Sequence, residues 1–281
     1  MEGISQDVAP AAEVATAEYW EGNKEIPIAR DFFTLQFEFA KKMAKHAERP
    51  LLNMVEEYAP FINRHIYQWD EREDGAPPHL IEGVTEDTML DISYARYLET
   101  VGDWPLSYNR GRRFGCFAYD YDAHRKAAQI HFMNAEYSAD GPLSSSKVPY
   151  RKYEMRDVLK DIQKNHSDAA VVEGRSWLYN LEAYRRLFPG EYLANARADS
   201  NSELWRKGTT VWGQFLDSGS NVKEDLARIL LERMESQKFA TPSELLSAPL
   251  FLPMHVEGPI SDFYRHFKIE SNPSLESSAS S

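Results

Sequence analysis

The 281-residue sequence has a single cysteine, Cys116. It therefore cannot form an intramolecular disulfide, which fits a reducing compartment. Long apolar runs are also missing. None approaches the roughly 20 residues that cross a bilayer as a helix. The first twenty residues, MEGISQDVAPAAEVATAEYW, lack the basic start and apolar stretch of a secretory leader. The expectation is a cytoplasmic, soluble protein that does not enter a membrane. Basic residues are outnumbered, with 32 Lys and Arg against 44 Asp and Glu and a formal net charge of −12. That balance argues against a nucleic-acid partner, because neutralising a phosphate backbone needs clustered cations. The eight histidines include no His-x-x-x-His or His-Glu-x-x-His pair. The acidic run WDEREDG (69–75) lacks the spacing of a calcium loop. No metal site is therefore expected, and no internal repeat is found.

Hydrophobic residues make up 42% of the chain and aromatics 12%, enough to build a core. The length suits one large domain or two small ones. Composition and periodicity divide the chain into four parts. Residues 1–16 are small and polar, and 271–281 are Ser-rich; both read as disordered. Residues 17–102 read as a helical N-terminal region, and residues 103–270 as a sheet domain that carries the site. The fold class is α+β, a mixed β-sheet with packed helices preceded by a helical segment.

Apolar spacings of three and four over Phe32, Leu35, Phe39 and Met43 predict a first helix, capped by Asp31. Pro50 is placed in the first turn of a second helix, Leu51 to Tyr58, and Pro60 interrupts after it. A capped helix over 85–102 ends at Gly102. The period then changes to two. Residues 112–137 read as a hairpin that turns at Asp120 to Lys126, with Ala128, Ile130 and Phe132 on one face and Gln129, His131 and Met133 on the other. An amphipathic helix over 150–166, a short strand over 168–174 and a helix over 181–188 follow. TTVWGQFLD (209–217) reads as a strand or an extended edge, and 221–238 as a helix.

The densest polar–aromatic stretch is EGRSWLYN (173–180), where a strand runs into a turn that opens a helix. Backbone N–H groups at such a corner suit an anion or a carbonyl oxygen. Ser176 is a candidate nucleophile, but Leu178 stands where a Gly-x-Ser-x-Gly elbow needs its second glycine. The alternative is that Ser176 or Asn180 caps the helix and Trp177 fills core. A third reading makes Arg175, Ser176, Tyr179 and Asn180 a binding set. YNRGRRFG (108–115) clusters three arginines, of which Arg113 is a candidate for holding a phosphate or carboxylate. His131, with Asp120 across the hairpin, is a candidate general base. Trp212 and Gln214 are candidates to line a ligand site.

The stretch SWLYN (176–180), with LFP (187–189), WGQFLD (212–217) and the strand histidine His131, is similar to a family of uncharacterised bacterial proteins. More loosely it resembles the accessory α/β domain attached to GNAT-type acyltransferases. The resemblance covers roughly residues 112–217. It implies an α/β fold with its site near His131 and Ser176, and an acyltransferase-like reaction with acyl-CoA as possible cofactor. The chain departs from it in lacking a recognisable acetyl-CoA loop.

Two functions follow as expectations. In the first, an acyltransferase-like enzyme acts on a small polar substrate, with His131 as base, N–H groups near Ser176 polarising a carbonyl, and Arg113 or Arg175 holding an anion. In the second, a non-catalytic protein binds a small-molecule ligand, or another protein, through the same residues. A third reading, docking through Phe32, Phe33, Phe37 and Phe39, requires an exposed apolar patch. The oligomeric state is not legible in the sequence.

Overall fold

The computed structural model describes residues 26–68, 79–101, 113–135, 140–199, 201–206, 208–236, 244 and 248–270. The expectations for residues 1–16, for 271–281, for Gly102 and for the arginines at 110 and 112 lie outside these. For Arg113 only the backbone is described.

Helices α1 (Arg30–Ala47), α2 (Leu51–Tyr58) and α3 (Pro60–Ile66) follow one another, and α4 (Met89–Thr100) packs across them. Their periodic apolar faces meet, so Phe32, Phe33, Phe39 and Met43 are fully buried. That burial removes the exposed patch which docking through these phenylalanines requires; Phe37 too packs against the core. The helix boundaries shift slightly. Ala29 precedes α1, so Asp31 lies in its first turn instead of capping it. Pro50 is the residue before α2, and Pro60 starts α3 instead of merely ending α2. A two-stranded ribbon, β1 (Tyr67–Gln68) with β2 (His79–Leu80), closes this part.

A six-stranded mixed sheet follows. β3 (Arg113–Phe114), β4 (Phe117–Asp122) and β5 (Ala127–Phe132) form an antiparallel meander. The expected long strand over 112–119 is broken at Gly115, whose φ of +61° turns the chain back. A side chain there would also collide with the Glu154 carboxylate, 2.0 Å from an added Cβ. Helix α5 (Val148–Asn165) carries the chain from β5 to β6 (Val171–Ser176), which lies parallel to β5, as a crossover helix permits. β8 (Met254–Pro259) pairs antiparallel with β6, and the short β7 (Arg197–Ala198) sits on the edge. The order across the sheet is β3-β4-β5-β6-β8-β7. Helix α6 (Glu182–Arg185) is much shorter than the helix expected over 181–188, and α7 (Gly190–Ala194) follows it.

Residues 209–217 are not a strand. They form α8 (Thr209–Trp212) and a 3-10 turn, Gly213–Phe215. Val211, Trp212 and Phe215 are all buried in the core of the N-terminal helices. Burial at a helical spacing overrides the alternation read from the sequence. Helices α9 (Glu224–Ser236) and α10 (Ile260–His266) complete the described elements.

Two cores result. The helical core joins α1 to α4 with Leu204, Trp205, Trp212, Phe215, Leu230 and Met234. The sheet core lies under α5, α7 and α10, and joins Phe117, Ile130, Val172 and Val256 to Leu159, Tyr192 and Phe263. The boundary expected at 102/103 does not divide the packing, because the helical core is completed by residues that follow β7.

Candidate functional site

One face of the sheet feeds the core; its strand parity fixes what the other face carries. Phe117 and Tyr119, Ala128 and Ile130, Val172 and Gly174, and Val256 and Gly258 alternate toward the core. Their neighbours project the other way and fall into two rows. In the first, Asp120 pairs with Gln129, Gln129 with Glu173 and Glu173 with Glu257. In the second, Ala118 pairs with His131, and His255 lies between Arg175 and Arg197. His131 and Arg175 each follow the last paired residues of β5 and β6, Ile130 and Gly174. An acidic row thus runs beside a basic row.

Ion pairs join the rows. His131 Nε2 is 3.0 Å from Asp120 Oδ2. Glu173 takes Arg125 at 2.6 Å and Arg175 Nε at 2.8 Å. His255 Nε2 lies 3.0 Å from Glu173 Oε1, but out of line for a hydrogen bond, and this buried nitrogen has no hydrogen-bond partner among the described residues. Arg197 donates to His255 Nδ1 at 2.9 Å and lies 3.4 Å from Glu257. The Glu173 side chain is only 3% exposed, whereas those of Arg125 and Arg197 are 50% and 61% exposed. Burial alone would push the Glu173 carboxyl up. The guanidiniums of Arg125 and Arg175 outweigh it and hold the group below the ordinary carboxylate value. The same pairing raises Arg125.

The predicted site residues whose side chains are described separate into four places. His131 and Arg175 lie on this charged face. Ser176 shares strand parity with Val172 and Gly174, so it projects from the side opposite His131, and the two do not form a nucleophile–base pair. Its Oγ accepts from Leu178 N at 3.1 Å and caps the 3-10 turn Trp177–Asn180; the helix after it, expected to be capped by Ser176 or Asn180, has no side-chain cap, and Trp177 is half-buried instead of core. Trp177, Asn180 and Gln214 come together, but as a clip. Trp177 stacks on Phe251 at 6.2 Å, and Asn180 Nδ2 donates to Trp177 O and Leu252 O. Gln214 donates to Phe251 O and accepts from Phe251 N, both at 3.1 Å. Together they pin the bent segment ahead of β8, by which the chain returns from one core to the other. Lys223 closes the clip, donating to Gln214 O at 3.1 Å with its ammonium 5.8 Å from the Trp177 ring.

Tyr179 and Trp212 are core. Tyr179 is buried, its hydroxyl 2.9 Å from that of Tyr192, and burial raises both phenols. Trp212 is fully buried and donates Nε1 to Tyr58 O at 2.9 Å. Neither offers a surface to a ligand.

Sequence reasoning missed Glu173, His255, Glu257, Arg197 and Arg125. The signal existed in MHVEGP (254–259), where Met254, Val256 and Gly258 alternate with His255 and Glu257. Among the described residues no group of three or more metal-ligating side chains gathers, and no helix is long and apolar enough to cross a membrane. Set against protein-family models, curated proteins and solved structures, the chain matches none.

Proposed function

We propose that the protein binds a small polar ligand on the charged face of its sheet. The observation that carries this reading is Glu173. Leaving charges separately hydrated on an open sheet face is free of penalty, whereas burying a carboxylate is costly unless cations and hydrogen bonds compensate. Here a buried carboxylate fixes two arginines from beneath. Side chains held in one geometry lose less entropy when a ligand arrives, which is how binding sites are preorganised. The ligand meets Arg175 and His131, and Trp177 stands at the end of β6 as an apolar border.

A second reading, acyl transfer to a small polar substrate with acyl-CoA as donor, is favoured by the His131–Asp120 pair. A half-exposed imidazole oriented by a carboxylate at 3.0 Å is the arrangement of a general base. Ser176 takes no part in that reading. A thermal-shift screen with amino acids, sugar phosphates, nucleotides and acyl-CoAs tests both. A ligand at about 100 times its Kd stabilises the native state by about 2.7 kcal/mol. The expected result is stabilisation by a polar small molecule that is lost in Arg175→Ala. An acyl-CoA response lost in His131→Ala selects the second reading. If no compound shifts the wild type in an Arg175-dependent way, the binding face is abandoned.

A further inference from the structure

The arginines of the charged face are incompletely used. Arg125 donates one guanidinium nitrogen to Glu173, Arg175 donates its Nε to the same carboxylate, and Arg197 bonds through one nitrogen to His255 and Glu257. Their remaining nitrogens make no hydrogen bond with described residues. They have only long ion pairs, Arg125 to Glu257 at 3.8 Å and Arg175 to Asp199 at 3.7 Å. The Arg125–Glu257 pair is exposed as well as long, so it contributes little and is cheaply exchanged; the Arg175–Asp199 pair is long but partly buried. The three guanidiniums come from different places, the β4–β5 turn, β6 and β7, yet all meet around Glu173, His255 and Glu257. Each is held by the protein along one edge; Arg125 and Arg197 are 50% and 61% exposed, whereas Arg175 is 28% exposed, with Asp199 beside its free edge.

We infer that this trio is an oxyanion subsite, and that it takes a phosphate group. This rests on the binding face proposed above and names its ligand class. The argument is one of shape and valence. A guanidinium fork matches two oxygens, so a carboxylate is filled by one arginine. Guanidiniums brought to one cluster from a turn and two strands suit a ligand with oxygens pointing in several directions, which a tetrahedral phosphate supplies. Glu173, with Glu257 and Asp199 beside it, balances the charge of the arginines and keeps them from repelling one another before the ligand binds. His255 is a positioning residue. By accepting from Arg197 at Nδ1 it holds that guanidinium on the rim.

The probe is inorganic phosphate, with sulfate as a second tetrahedral anion and chloride and acetate as controls at matched ionic strength, read by thermal shift and by titration calorimetry. Arg197 is 61% exposed, so Arg197→Gln and Arg197→Lys leave the core intact. Phosphate is expected to stabilise the wild type saturably, beyond chloride and acetate. Affinity should fall about tenfold in Arg197→Gln and be only partly recovered in Arg197→Lys, which keeps the charge but loses the fork. A phosphate response no greater than that of chloride overturns the inference, as does a response equally strong in both variants. If phosphate is inert while another polar compound binds through Arg175, the oxyanion class is wrong and the binding face stands. If nothing binds through Arg175, both fall.

Discussion

Glu173 is where burial and charge oppose each other most directly. Its carboxyl is held below the ordinary value of 4.5 by Arg125 and Arg175, against the upward push of burial. A carboxyl whose folded pKa is depressed adds stability that is complete above its unfolded value and is lost as pH falls through the folded one. The wild type is therefore expected to lose stability as pH drops below about 4.5, with the loss continuing toward the depressed folded value. Glu173→Gln is expected to be less stable at pH 7, because two arginines lose their carboxylate, and to show a shallower decline on acidification. Urea midpoints at pH 7, and at steps below about 5, measure both. Parallel declines in the two proteins would assign the acid sensitivity to other groups.

At the scale of elements, strand β6 shows what local pattern conveys and what it conceals. The hairpin β4–β5, helix α5 and strand β6 were legible because their periods are clean: two for the strands, three to four for the helix. The candidate site was legible only in part. His131 with Asp120, and Arg175, were visible as chemistry. The rest of the face, His255 and Glu257, sits on β8, some eighty residues along, where no local signal links it to β6. Trp212 and Gln214 misled because the apolar residues of this short run, Val211, Trp212, Phe215 and Leu216, are too few to fix a period. Only the distant Tyr58 carbonyl and Phe251 backbone decide that the segment is helical and buried. Gly174 in the same strand makes the packing testable. A Cβ added there would stand 2.0 Å from the Tyr179 hydroxyl and 2.8 Å from that of Tyr192, two side chains locked in the sheet core. Gly174→Ala is expected to destabilise by about 1–3 kcal/mol, the range for overpacking a tight interior. A chemical-denaturation curve superimposable on the wild type would mean that the tyrosines yield freely.

At the scale of the molecule, the two cores are interleaved along the chain. The helical core needs residues 204–248 as well as 26–101, and the sheet needs β8 as well as β3 to β6. A fragment ending at residue 102 lacks Trp205 and Trp212, which pack on Phe32 and Phe39, and Phe215 and Leu230 of the same core. It is expected to show helical circular dichroism without a cooperative thermal transition, and to bind a hydrophobic dye. A sharp, reversible melt would show that the N-terminal helices are a domain in their own right.

The same interleaving sets a schedule for synthesis. Tyr58 and Trp212, joined by a buried hydrogen bond, are 154 positions apart. At about 5–20 residues per second, a ribosome delivers the tryptophan roughly 8–30 s after the tyrosine. Through that interval the phenylalanines of the first helix have no lid, while the sheet is being assembled downstream. The nascent chain must therefore carry an unfinished apolar surface through most of its translation, and it is in this window that holding factors or misassociation act on it.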